Sequence, residues 1–125
     1  MKKYIIIAIL ILFGLIWYLN NPIIRLNRLY QLNLSIFTKK IIWSEQWSGM
    51  GDGKVVGLLE INKDDFSRLS KMCQTKSDNL QNDPILLKYN HICLIKYQEE
   101  NMDTTLLTLV EDKKNKYLFY KLIIK

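Results

Sequence analysis

The chain begins with an apolar run that constrains where the rest of the molecule can lie. After Lys2 and Lys3, the sixteen residues from Tyr4 to Leu19 carry no charge and are almost wholly apolar. As a helix they would extend about 24 Å, and the uncharged run through Ile24 would extend about 31 Å. The hydrocarbon core of a bilayer is about 30 Å thick. We therefore predict that residues 1–24 form an N-terminal transmembrane anchor.

The residues that end this run favour an uncleaved anchor over a signal peptide. Cleavage requires small residues at alternate positions after the apolar region, but Trp17 and Tyr18 are large and no Ala-x-Ala pattern follows. We assign Tyr4, Trp17 and Tyr18 to the anchor, with the last two at the membrane–water interface. Lys2 and Lys3 favour an N-terminus in the bacterial cytoplasm and a domain outside the cytoplasmic membrane.

The net charge of +6 belongs to the membrane-proximal end of the chain. Residues 1–40 contain six basic residues and no acid, whereas residues 41–125 contain 12 basic and 12 acidic residues. A nucleic-acid binder concentrates positive charge on its folded face, so we do not expect this chain to bind nucleic acid. The basic end suits anionic lipid headgroups, although Arg25 and Arg28 weaken the charge asymmetry that sets the orientation.

Residues 25–36 form a predicted juxtamembrane amphipathic segment. Asn21 and Pro22 indicate a helix N-cap and the first helical position. The apolar residues Ile23, Leu26 and Leu29 then recur at intervals of three. Two interpretations remain open: the helix lies on the headgroups, or it packs on the domain that follows.

Residues 37–125 are predicted to form a small α+β domain. Five stretches are rich in β-branched, aromatic or alternating apolar residues and predict strands, and one stretch predicts a helix that Asn62 caps. The order is β-β-α-β-β-β, which favours a mostly antiparallel sheet with one packed helix. A polar connection follows the helix, and the residues EENMD are predicted to join the third and fourth strands. The strands are IFTKKIIWSEQW, KVVGLLEIN, HICLIKYQ, TTLLTLVE and KYLFYKLII, the helix is NKDDFSRLSKMCQ, and the connection is TKSDNLQNDP.

The glycine-rich stretch WSGMGDGKVV resembles a phosphate-binding loop only in composition. A P-loop requires Ser or Thr after Gly-Lys and a helix behind it, but Val55 follows Lys54 and begins a strand. We predict a hairpin that turns at Asp52 and Gly53, because glycine accepts positive φ without steric cost. A ligand site is the less favoured alternative.

Trp43 and Trp47 precede this turn and share one face of the first predicted strand. Either they pack in the core or an interface, or they form a recognition patch beside the hairpin tip. We therefore name Trp43, Trp47 and Asp52 as candidate partner contacts.

The residues that could carry chemistry are few and scattered. His91 is the single histidine and has only Cys93 nearby in sequence, which falls short of the three or four ligands of a zinc site. Cys73 and Cys93 either form a disulfide in an oxidising compartment or are two buried hydrophobic residues. We assign no catalytic, cofactor-binding or metal-binding residue.

The chain resembles a loosely defined set of small uncharacterised bacterial proteins with a membrane anchor or lipoprotein signal. The resemblance is carried by Gly51-Asp52-Gly53 with the strand behind it, and by KNKYLFYKLI near the C-terminus. Members of that set have His-Gly-Gly before the Gly-Asp-Gly, where this chain has Gln46-Trp47-Ser48. The resemblance implies an anchored α+β domain and no particular activity.

These observations predict a non-enzymatic, single-pass membrane protein that presents an extracytoplasmic interaction module to an unknown protein partner. The alternative is an immunity-type inhibitor that protects its producer from a toxin at the membrane. A small enzyme ranks third, because no catalytic group of residues is apparent.

Overall fold

The apolar run forms one helix, α1 (Lys2–Asn20), in the computed structural model, which describes residues 2–74 and 84–125. No residue of α1 is buried. The helix is long and apolar enough to cross a membrane, and a signal sequence would satisfy the same criterion. The predicted polar connection after the domain's helix lies, apart from its last residue Pro84, outside the described residues.

The second helix, α2 (Pro22–Tyr30), begins where the sequence predicts. The Asn21 side chain accepts a hydrogen bond from the Ile23 N–H at 3.0 Å, and Pro22 follows the cap. Ile23 and Leu26 are buried, whereas Leu29 is 64% exposed. Ile23 and Leu26 therefore pack against protein, and Leu29 is the exposed residue of that apolar stripe.

Residues Met1–Thr38 and Lys39–Lys125 form two compact units. Within the first unit, the Asn27 side chain holds the segment that follows α2. Its amide donates to the Leu34 carbonyl at 2.8 Å and accepts from the Leu34 N–H at 2.7 Å. Gln31, which ends α2, and Asn33 both have left-handed backbone conformations. These two residues turn the chain away from the helix axis.

The second unit is a sheet of five strands with a helix after the second strand. The spatial order is β1-β2-β5-β4-β3, and every neighbouring pair is antiparallel. The predicted α+β class and the β-β-α-β-β-β order are thus confirmed. The elements are β1 (Lys39–Trp47), β2 (Gly53–Ile61), α3 (Lys63–Ser70), β3 (Asn90–Glu100), β4 (Asp103–Glu111) and β5 (Lys116–Ile124).

Both faces of the central strands are buried, as the apolar pattern of β2 predicts. On one face, Leu58 of β2 and Phe119 of β5 belong to a cluster completed by Leu86 from the segment before β3. On the other face, Leu59 and Leu118 are paired across β2 and β5 and are 0% exposed. Burial of a leucine side chain contributes about 1.5–3 kcal/mol, so the inner strands hold the unit together.

Helix α3 is shorter than the sequence predicts, ending at Ser70 rather than near Gln74. The Asn62 side chain caps it by accepting the Asp65 N–H at 2.7 Å. Apolar residues recur at intervals of three in this stretch, at Phe66, Leu69 and Met72, and form the expected apolar stripe. Leu69 is fully buried, whereas Met72 is 38% exposed and lies beyond the helix end. The stripe therefore packs over one turn only.

The structure corrects the predicted start of β1 and the predicted length of the loop between β3 and β4. Strand β1 begins at Lys39 rather than Ile36, because the Thr38 N–H donates to the Ser35 carbonyl and forms a turn there. The predicted loop EENMD contracts to a turn at Asn101 and Met102, which have φ values of 50° and 73°. Positive φ at both central residues is typical of a two-residue hairpin turn.

The structure joins Cys73, after α3, to Cys93 of β3 in a disulfide with a Cα–Cα distance of 5.7 Å. That distance lies in the middle of the usual range for disulfides. The bond fixes the end of the α3 region to an edge strand of the sheet.

Loss of this disulfide should destabilise the second unit. A crosslink between residues 20 apart in sequence contributes about 3 kcal/mol by restricting the unfolded chain. Denaturant unfolding of the wild type should shift to lower denaturant when a reductant is added, and unfolding of Cys73→Ala/Cys93→Ala should not respond to reductant. Identical wild-type curves with and without reductant would contradict a disulfide in the folded chain.

The turn between β4 and β5 provides a pH-dependent contribution to stability. The Asp112 carboxylate accepts the N–H groups of Asn115 and Lys114, each at 2.8 Å. These two bonds hold the pKa of Asp112 below its ordinary value of 3.8, and the bond from Asn115 has the larger effect. A carboxyl group whose pKa is lower in the folded state stabilises the folded protein at pH values above its unfolded-state pKa. This stabilisation is lost as the pH falls through the folded-state pKa.

We therefore expect Asp112→Ala to lower the thermal midpoint at about pH 6 and to lose that difference from wild type as the pH falls below about 4. The neighbouring Lys113→Ala, whose side chain is exposed in the same turn, serves as the control. Midpoints that differ from wild type equally at both pH values would show that the carboxylate is not the stabilising group.

Candidate functional site

The two tryptophans of β1 lie opposite the two glycines of β2. Trp43 pairs with Gly57, and Trp47 pairs with Gly53. Beyond this ladder the Ser48 N–H donates to the Asp52 carbonyl at 2.8 Å. Hydrogen-bonded and non-hydrogen-bonded pairs alternate along an antiparallel ladder. Counted from the hydrogen-bonded Ser48–Asp52 pair, both tryptophan–glycine pairs are non-hydrogen-bonded. In such pairs the two Cα atoms approach most closely.

Each indole ring lies over its glycine and occupies the space of a side chain. A Cβ atom on Gly57 would come within 2.5 Å of the Trp43 ring, and a Cβ on Gly53 would overlap the Trp47 ring. Both glycines are therefore required for their small size. The prediction that Gly53 supplies a positive φ is wrong: among the described glycines, Gly51 has that conformation, at φ 87°.

The two tryptophans have different environments. The Trp43 ring is half-buried and meets the Tyr120 ring edge-on, with centroids 6.2 Å apart. Its indole Nε1 is buried and has no hydrogen-bond partner in the described part of the chain. Trp47 is 52% exposed, and Met50 in the adjoining loop is 89% exposed. Trp43 is thus a packing residue of the sheet, and Trp47 faces solvent.

The exposed residues at this end of β1 and β2, Trp47, Met50 and Asp52, are called the hairpin tip below. Asp52 contributes its backbone carbonyl to the loop, accepting from the Ser48 N–H and hydroxyl. The sequence predicted Trp47 and Asp52 here but missed Met50. An apolar residue between two glycines in a loop is the signal that would have found it.

The anchor residues named from the sequence lie where they were expected along α1. Tyr4 is near its first turn, and Trp17 and Tyr18 are near its last turn. All three side chains are exposed.

His91 belongs to a structural network in the sheet. The Thr108 hydroxyl donates to the Cys93 carbonyl at 2.9 Å and lies 2.7 Å from the His91 Nε2. Because the hydroxyl has one proton, which the carbonyl receives, the His91 Nε2 must donate to Thr108. Cys73 and Cys93 are bonded to each other and provide no thiolate. Among residues 2–74 and 84–125, no three His, Cys, Asp or Glu side chains are placed to hold a metal.

The shifted pKa values belong to the turn between β4 and β5 and to strand β3. Burial raises the pKa of Tyr117, whose hydroxyl donates to Asp112 at 2.9 Å. A hydrogen bond to Glu99 raises the pKa of Tyr97 in β3, an edge strand of the sheet. Asp112, whose pKa is lowered, and Tyr117 therefore form one pair at the β4–β5 turn, and Tyr97 lies apart from them in β3.

Comparison with protein-family models, with curated proteins and with solved structures finds no match to this chain. Its function therefore has to be inferred from the geometry above.

Packing of indole on glycine can be tested with a methyl group. Gly57→Ala should lower the free energy of unfolding by about 1–3 kcal/mol, because the added Cβ displaces the Trp43 ring from a packed site. Gly49→Ala is the matched control, since a Cβ there meets nothing within 4 Å, and it should change stability by no more than about 0.5 kcal/mol. Denaturant unfolding measures both.

A Trp43→Leu background separates the clash from an intrinsic effect of glycine. If the ring is responsible, Gly57→Ala should cost less in that background. An equal cost in both backgrounds would contradict the packing explanation.

Proposed function

We propose that this chain is a single-pass protein of the bacterial cytoplasmic membrane whose second unit acts outside the cytoplasm as a non-catalytic interaction module. Helix α1 would bind the lipid bilayer, and the hairpin tip would bind a protein partner. The observation that carries the proposal is the half-exposed Trp47 ring, held over Gly53 beside the exposed Met50.

The extracytoplasmic location is supported by the pairing of Cys73 with Cys93. Disulfides form and persist in oxidising compartments and are rare in the cytosol. The exposed, apolar surface of α1 supports attachment to a membrane. Lys2 and Lys3 before the apolar run favour a cytoplasmic N-terminus.

A recognition role for the hairpin tip is supported by the rigidity of its aromatic residue. A tryptophan ring packed over glycine has few alternative rotamers, so binding costs little side-chain entropy. Tryptophan is enriched among residues that dominate binding energy, and methionine adapts to partner surfaces. The candidate chemical groups, His91 and the cysteines, are already engaged within the sheet.

Photo-crosslinking in cells tests this proposal directly. A photoreactive amino acid in place of Met50 should give discrete adducts with a partner, and the adducts should be lost in Trp47→Ala. The matched control is the same amino acid in place of Met102, which is 70% exposed on a different hairpin turn. Truncation of a central binding residue costs about tenfold or more in affinity.

Adducts of the same size and yield from both positions would contradict a specific role for the hairpin tip, as would no adduct from position 50. Denaturant unfolding of Trp47→Ala should show that the variant remains folded. Loss of adducts from an unfolded variant would not support the proposal, so the unfolding of Trp47→Ala is measured before the crosslinking.

A further inference from the structure

The two edge strands of the sheet differ in how well they are protected. Strand β3 has register shifts at His91/Cys93 and Leu94/Lys96 and carries the disulfide. Strand β1 has one shift, between Lys40 and Ile42, and its register is regular from Ile42 to Trp47. Bulges protect sheet edges against added strands, so β1 offers the longer regular edge.

The alternation of hydrogen bonds determines which backbone N–H and C=O groups of β1 point away from β2. Ser44 and Gln46 occupy hydrogen-bonded pairs with β2, counted from the Ser48–Asp52 bond. Trp43 and Trp47 occupy the other kind of pair, so their backbone N–H and C=O groups point away from β2. In the sheet order no strand lies beyond β1 in the described chain. These outward groups are the donors and acceptors that an added strand would use.

A groove of about 310 Å³ lies along the same edge, on the face opposite the tryptophans. Ile42 and Val56 provide apolar surface, and among the described residues that line it Lys54 is the one that carries a charge. Lys54 is directly opposite Gln46 near the Trp47 end of β1. The groove therefore suits apolar side chains along its length and an anionic group at that end. The described residues of its lining are Ile42, Ser44, Gln46, Lys54, Val56, Pro84 and Ile85.

We propose that β1 accepts an extended segment of a partner protein as an additional antiparallel strand, with an acidic side chain near Lys54 and apolar side chains in the groove. Main-chain hydrogen bonds would provide affinity, and the groove would provide specificity, as in other cases of strand addition. This inference rests on the proposed interaction module and names the class of its partner.

Charge argues against a second copy of the chain as the added strand. Antiparallel pairing of β1 with itself would bring Lys39 and Lys40 of one copy to the Trp47 end of the other, where Lys54 lies. Glu45 is the one acidic residue of β1, so positive charge would be in excess at that end. Like charges placed opposite one another in a sheet are destabilising. An acidic segment from another protein avoids this repulsion.

The spacing of the added strand follows from the geometry of β1. Residues opposite Gln46, Ser44 and Ile42 would point into the groove, and those opposite Trp47 and Trp43 would donate to β1. The probe is therefore acetyl-Thr-Glu-Thr-Val-Thr-Val-Thr-amide, with glutamate opposite Gln46 and valines opposite Ser44 and Ile42. Binding is measured on the full chain in phosphatidylcholine nanodiscs, by titration and by amide hydrogen exchange.

We expect saturable binding that protects the Trp43 and Trp47 amides, while the Ser44 and Gln46 amides, already bonded to β2, do not change. N-methylation of the threonine amides should weaken binding by about tenfold or more, since each lost hydrogen bond is worth about 1 kcal/mol. N-methylation of the valine amides, which point away from β1, is the matched control. Lysine in place of the glutamate should weaken binding about three- to tenfold, and Lys54→Glu should reverse that preference.

The proposal is overturned by any of three results: no saturable binding, equal effects of methylation at threonine and valine, or protection of the same amides by self-association without peptide. If the peptide fails while crosslinks from position 50 persist, strand addition falls and the interaction module stands. If the crosslinks also fail, the proposed function itself falls.

Discussion

The insertion of β5 between β2 and β4 is the interaction on which the second unit depends. Strand β2 is remote from β5 in sequence, whereas β4 immediately precedes it, and these pairings bury Leu118 and Phe119 on opposite faces. It also determines the edges of the sheet. With the centre filled by the last strand, β1 and β3 become the outer strands, and the β1–β2 hairpin is left with its tryptophans over glycine at one side of the unit.

Much of this fold could be predicted from local patterns, because the strands alternate and the helices have side-chain caps. The limits of β5, from Lys116 to Ile124, and the Asn21 and Asn62 caps match the sequence prediction. The strand order could not be predicted, since no local pattern states which strand will lie beside which. The turn at Asn101 and Met102 was missed because methionine seldom has a positive φ.

The candidate site shows the same division between local and long-range information. That Trp43 and Trp47 share a face follows from strand periodicity. Their different exposure does not, because Trp43 is covered by Tyr120 of a strand remote in sequence whereas Trp47 is 52% exposed. Gly53 was predicted for the wrong physical reason, and Gly57 was not predicted to be special. Both are needed because an indole ring occupies the space above them, not because their backbones are unusual.

The central claim is that the second unit of this chain works outside the cytoplasm. The most direct test is the state of Cys73 and Cys93 in intact cells, measured with a membrane-impermeant maleimide before and after a mild external reductant. The account predicts no labelling before reduction and labelling of both cysteines after it, since the disulfide would form in the oxidising compartment. Thiols that remain unlabelled from outside after reduction, and that a membrane-permeant maleimide labels without any reductant, would place the unit in the cytoplasm and contradict the account.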